Sequence, residues 1–177
     1  MRLPFDIADR IYRENKRLLG PLVWHSVESK KSNEVRRCLE CRAEVAGGVP
    51  RGVLFRITVF PGSLARATFQ LECDSPSGRD HVPLYRLELG ARRGHVNKLY
   101  GPDDMSGLLF AAGETHEHIF YDSLRNDGSL RANACEQARR IENPPRDFPT
   151  ALSLVCSRIN ILNGTEVPNP GDQGMLL

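Results

Sequence analysis

The chain lacks any run of about eighteen consecutive apolar residues, the length a helix needs to cross a bilayer. Its first ten residues, Met-Arg-Leu-Pro-Phe-Asp-Ile-Ala-Asp-Arg, carry charges where a signal peptide would hold an uninterrupted apolar stretch. Both absences lead to the expectation of a cytoplasmic protein with no membrane partner. An excess of one charge sign is also missing. A net charge of +2 is too small for bulk electrostatic binding to nucleic acid, and leaves only local basic patches. The cysteines, Cys38, Cys41, Cys73, Cys135 and Cys156, are odd in number and irregularly spaced, which suits reduced thiols better than a disulfide framework. No P-loop, dinucleotide fingerprint or internal repeat occurs. The single tryptophan, Trp24, is expected in the core or at its rim rather than as a stacking platform.

What is present is the composition of one ordinary folded domain: 177 residues, 40% hydrophobic and 26% charged. Ile7, Ile11, Leu18 and Leu19 recur at helical spacing, so a helix is expected from Pro4 to Leu19, ended by Gly20-Pro21. Leu22 to Val27 reads as a strand, followed by a polar turn at Glu28-Ser-Lys-Lys-Ser-Asn33. Apolar residues then alternate with polar ones in three runs: Leu39 to Val45, Val53 to Val59 and Ala65 to Cys73. Leu84 to Leu89 gives another strand. Period two is the mark of a sheet with one covered face, and short Gly/Pro connections at 47–52, 61–62 and 74–78 imply antiparallel pairing. Segments near His95 to Tyr100 and Thr115 to Tyr121 are expected as strands flanking a loop at Gly101 to Gly107. Ser129 to Ile141 reads as a short helix. A better helix begins at Asp147-Phe148-Pro149, with Leu152, Val155, Cys156 and Ile159 on one face.

The fold expected is therefore α+β: residues 1–163 form one domain, an antiparallel sheet of about five to seven strands packed by an N-terminal and a C-terminal helix. Residues 164–177, rich in Gly and Pro, are expected to be a flexible tail.

Histidine is scarce, and two of the five lie two residues apart in Gly113-Glu-Thr-His-Glu-His-Ile-Phe-Tyr-Asp122. On a strand, His116 and His118 leave the same face while Glu117 points away. A metal is one reading, with Asp122, His95 or Glu117 as the candidate third ligand beside His116 and His118, although Glu117 should face away, and Asp122 is the one taken. The spacing matches part of the first cupin motif, with Asp122 for the usual glutamate, but no histidine follows His118 to supply the second motif. The metallo-β-lactamase pattern fails as well, because no Asp-His follows the pair. The preferred reading is metal-free, with no cofactor. His95, His116 and His118 would act as catalytic acid and base near neutrality, with Arg93, Asn97 and Lys98 binding the substrate. Cys38-Leu-Glu-Cys41 is a CxxC, but positions i and i+3 of a strand face opposite ways, so the two thiols would not share a metal.

The stretch from Leu84 to Ile161 resembles a family of small bacterial proteins classed as a domain of unknown function. Tyr85-Arg-Leu-Glu-Leu89, Gly94-His-Val-Asn97, His116-x-His-Ile-x-Tyr121 and Cys156-Ser-Arg-Ile-Asn-Ile161 carry the resemblance. It supplies no activity or cofactor, but implies that His95, Asn97, His116 and His118 form one constellation.

Three functions follow as expectations. The first is a protein that binds or cleaves nucleic acid or another phosphate ester through its histidines. The second is a non-enzymatic module contacting a partner protein, such as an antitoxin, inhibitor or prophage accessory protein. The third is a metal-dependent hydrolase.

Overall fold

The computed structural model describes residues 3–28, 34–48, 52–60, 62–75, 80–131 and 133–171. The centres of the expected turns at 29–33, 49–51, 61 and 76–79 lie outside the described residues, as does the end of the expected tail, 172–177. Helix α1 (Phe5–Arg13) opens the chain, followed by strands β1 (Lys16–Leu18), β2 (His25–Glu28), β3 (Val35–Val45), β4 (Val53–Val59), β5 (Ala67–Asp74) and β6 (His81–Leu89). Then come β7 (His95–Val96), β8 (Leu109–Phe110), β9 (His116–Ile119), β10 (Ala138–Arg140) and helix α2 (Phe148–Arg158). Eight of the strands make one antiparallel sheet in the order β1-β3-β4-β5-β6-β9-β10, with β2 paired to β3 beside β1, while β7 and β8 form a separate hairpin. This is an α+β fold with more strands than the periodicity suggests.

Alternation built the central strands. Leu39, Cys41 and Ala43 of β3, Phe55 and Ile57 of β4, Phe69 and Leu71 of β5, and Tyr85 and Leu87 of β6 are all buried in one core with Ala8 and Ile11 of α1 and Ala151 and Val155 of α2. Each fully buried large side chain of this kind contributes roughly 1.5–3 kcal/mol. Asp147 caps α2 by accepting a hydrogen bond from the Thr150 amide at 2.9 Å, and Pro149 sits in the first turn, where its missing N–H costs nothing. Trp24 packs edge-on against Phe148, and its indole N–H donates to the Pro168 carbonyl at 2.9 Å.

Two expectations are corrected by long-range pairing, and a third segment is described in part. The first helix stops at Arg13, and Lys16–Leu18 joins the sheet edge opposite Ala43–Val45. The buried Lys16 ammonium donates to the carbonyls of Tyr12, Glu14 and Ile159, all at the C-termini of the two helices, where a cation is favoured. Leu18, spaced as if on the helix, is buried in the sheet instead. Secondly, no helix occurs among the described residues of 129–141. Leu130, Ala134 and Ala138 are buried, but in an irregular segment that ends as strand β10. Thirdly, the chain after Asn163 is packed as far as it is described. Gly164–Glu166 is a 3-10 turn, Val167 is buried, and the Asn163 side chain pairs with both the N–H and the C=O of Leu18 as a further strand would.

The same device closes the opposite edge of the sheet, beyond β10. The Asn97 side chain accepts from the Ala138 N–H at 2.7 Å and donates to the Ala138 carbonyl at 2.8 Å. In return the Gln137 side chain accepts from the Lys98 N–H at 2.9 Å and donates to the Lys98 carbonyl at 3.1 Å. Two amide side chains thus satisfy an edge that would otherwise present unpaired peptide groups. Gly101 permits the approach: at φ 89°, a Cβ there would lie 2.7 Å from the Asp122 carbonyl oxygen.

Candidate functional site

The face of the sheet away from the helices is polar, and antiparallel register sets its neighbours. One rung runs Cys38, Thr58, Thr68, Glu88, His116, Arg140; the next runs Glu40, Arg56, Gln70, Arg86, His118, Ala138. His116 and His118 therefore share this face with Glu88 and Arg86. Glu117 is on the helix side, where it accepts a hydrogen bond from Tyr85 Oη at 3.0 Å and lies 3.4 Å from Arg158 Nε.

The β7–β8 hairpin lies over the histidine end of this face. His95 lies above β9, in the separate β7–β8 hairpin, rather than in the main sheet. Its ring centroid is 5.9 Å from that of His116 and 5.1 Å from that of His118, and the latter two rings are 5.1 Å apart. Phe110 closes the far side, 4.8 Å from His116. His116 and His118 are fully buried, and His95 partly. The expected constellation is thus assembled from two separate layers.

Hydrogen-bond partners assign each imidazole's tautomer. His116 Nδ1 faces the Glu114 carbonyl at 3.1 Å, so it carries the proton, and Nε2 is a lone-pair nitrogen that is buried with no hydrogen-bond partner. His118 donates to the Gln137 carbonyl, and its Nε2 faces the Arg86 guanidinium at 3.2 Å, a group that can only donate. Asn97 uses its amide nitrogen on the Met105 and Ala138 carbonyls, so its Oδ1 is the atom that meets His95 Nε2 at 2.9 Å. His95 therefore donates from Nε2 and keeps its lone pair on Nδ1. Each ring is held by one N–H on a protein acceptor, as around metal-ligating histidines; the other nitrogen is unpartnered on His116 and meets the Arg86 guanidinium on His118.

The electrostatics favour neutral rings. Burial, followed by the Arg86 charge and the two other histidines, holds His118 well below the usual histidine range. Burial also lowers His116, against a partial pull upward from Glu88. One ligand atom each from Glu88, His116 and His118 lies within 4.8 Å of the others. Donors on a tetrahedral zinc with bonds of about 2.1 Å sit about 3.4 Å apart, so the set closes on an ion by side-chain rotation of roughly an ångström. Arg86 fills the remaining space, with Nε 3.1 Å from Glu88 Oε1 and Nη2 3.2 Å from the Cys135 carbonyl.

Other expected site residues are elsewhere. Asp122 is on the helix side, where Arg139 Nε donates to it at 2.8 Å and a second guanidinium nitrogen also binds it; Glu88 occupies the position expected for Asp122. Arg93 and Lys98 have exposed side chains, and the cation beside the imidazoles is Arg86. Asn97 is buried, and its Oδ1 meets His95 Nε2. Arg86 and Glu88 were missed, although they alternate in Tyr85-Arg-Leu-Glu-Leu89 with the same period as His116 and His118. Cys38 and Cys41 point to opposite faces, and none of the five cysteines forms a disulfide. No helix among the described residues is long and apolar enough to cross a membrane. Comparison of the chain with protein-family models, curated proteins and solved structures gives no match.

Proposed function

We propose that Glu88, His116 and His118 form a divalent transition-metal centre that activates water for hydrolysis of an anionic ester, with phosphate esters, nucleic acid among them, as the leading class. The single observation that carries this reading is the buried, unpartnered Nε2 of His116 facing a second imidazole and a carboxylate. An orphaned buried acceptor is costly unless something binds it. Neutral imidazoles suit metal ligation and are poor general acids, so the metal-free acid–base scheme is the weaker account of the same residues. Two imidazoles and one carboxylate leave positions open for water, whose pKa a bound zinc lowers to about 7. Arg86, moved off the His118 lone pair by the ion, would stabilise negative charge developing on the substrate. His95, with its free Nδ1, is in place to accept the water's proton.

Metal content decides it. Protein purified without chelator and titrated with zinc or manganese is expected to bind about one equivalent per chain and to lose at least tenfold in affinity on Glu88→Gln or His116→Ala. Hydrolysis of bis-p-nitrophenyl phosphate should need the ion and stop with chelator. Less than about a tenth of an equivalent bound, with no heat on titration, would sink the proposal.

A second reading, an interaction module, is favoured by one surface. Val96, Leu99 and Leu109 are 57%, 88% and 62% exposed on or next to the β7–β8 hairpin, an apolar patch of the kind that marks contacts between chains. In its self-associating form it expects the protein to sediment above its monomer mass of 19.8 kDa, and Leu99→Asp with Leu109→Asp to restore that mass without changing metal content. A monomeric parent protein removes that self-associating form.

A further inference from the structure

The polar face continues past the histidines, and a second site lies two strands away. A cavity of about 200 Å³ is lined by Arg36, Arg56, Thr58, Phe60, Thr68 and Gln70. That is room for a group the size of phosphate with a few waters, since each water takes about 30 Å³. Its lining has two guanidiniums, two hydroxyls and an amide, with no carboxylate. Arg36 Nε is buried with no hydrogen-bond partner. The Arg36 guanidinium is held over the Phe60 ring at 5.1 Å, and it shares its carboxylate neighbour, Glu34, with Arg92. Glu34, Glu40 and Glu72 balance Arg36, Arg56 and Arg92 around the cavity, but only the cations Arg36 and Arg56 line it. Arg56 is fixed by Glu40 at 2.9 Å and Glu72 at 3.2 Å, so the second guanidinium is positioned before any ligand arrives.

We infer that this cavity binds an oxyanion, a phosphoryl or carboxylate group, and that it is the second anchoring point for the substrate of the proposed metal centre. The connection is the register: Thr68 is opposite Glu88, and Gln70 is opposite Arg86. With strands about 4.8 Å apart, the cavity side chains on β5 stand about 10 Å from the imidazoles on β9. The substrate then carries an oxyanion about that far from the bond that is cleaved. The two guanidiniums that line the cavity supply charge-assisted donation, and the flanking Thr58 and Thr68 hydroxyls can complete the shell. The role of this cavity as a substrate anchor rests on the metal-centre reading; its ability to bind an oxyanion does not.

The test therefore uses the full chain with its metal removed by chelator. Inorganic phosphate and, separately, acetate are titrated calorimetrically at low ionic strength into the parent protein, Arg36→Gln, Thr68→Val and His116→Ala, with thermal melts to verify folding. Saturable binding is expected, weakened about tenfold to a hundredfold by Arg36→Gln, less by Thr68→Val, and unchanged by His116→Ala. Tighter phosphate assigns a phosphoryl group; tighter acetate assigns a carboxylate. Absence of saturable binding by either ion, or binding that survives Arg36→Gln and disappears with His116→Ala, overturns the inference. Neither result bears on metal content, so failure of the metal centre is read separately.

Discussion

Replacing Asn97 by alanine is expected to cost about 4 kcal/mol of stability, near the upper end for a single substitution. Asn97 is only 2% exposed, and its side chain serves the Met105 carbonyl, the Ala138 carbonyl and the Ala138 N–H at once, in addition to His95. Removing it leaves three buried backbone groups without those partners, each worth roughly 1–3 kcal/mol. Asn97→Asp should be as damaging despite its equal size, because it puts a carboxylate where two carbonyls need donors. Urea unfolding measures both. A loss below about 1 kcal/mol for the alanine variant would mean that water replaces the amide and the clamp is dispensable. The consequence reaches the site: without Asn97, nothing fixes the His95 tautomer, and ¹⁵N spectra of the ring should show both neutral forms exchanging.

Acid is expected to destabilise the metal-free protein well above the range in which carboxylates titrate. His116 and His118 are both held below their ordinary value of 6.5 in the folded state, so below that pH the unfolded chain binds more protons than the folded one. The stability contributed by the neutral rings is fully present above 6.5 and is lost as the pH falls from there through the lower folded-state values. The limiting slope is about 1.4 kcal/mol per pH unit for each histidine, and two histidines give up to about 3 kcal/mol between pH 7.5 and 5.5. Urea midpoints across that range, in chelator, are the measurement, with His118→Gln expected to remove about half of the slope. An unchanged slope in a His116→Gln, His118→Gln double variant would assign the acid sensitivity to other groups. Bound metal should flatten the curve until protons displace it.

Much of the architecture was legible because it rests on local chemistry. Period two in β3, β4, β5 and β6 places Leu39, Phe55, Phe69 and Leu87 in the core, and the Asp147 cap with Pro149 marks the start of α2. His116 and His118 were rightly placed on one face, with Glu117 on the other, for the same reason. What failed were the segments whose local pattern is overridden from afar. Leu18 and Leu19 fit a helix, yet Lys16–Leu18 is drawn into an edge strand by Ala43–Val45 and held by Asn163. Ala134 and Ala138 fit a helix too, yet β9 and the Asn97 and Gln137 amides take Ala138 into the sheet.

The sequence by itself determined which side chains share a face, because the strand repeat is fixed by backbone geometry. It could not determine who stands opposite whom. That Glu88 rather than Asp122 faces His116, that Arg86 rather than Arg93 or Lys98 supplies the cation, and that His95 arrives from a separate hairpin are matters of register and layering. Register joins strands about thirty residues apart in the chain, and a shift by one residue would turn every polar side chain to the other face. Only burial of the whole core against both helices selects the register in which Glu88, His116 and His118 meet.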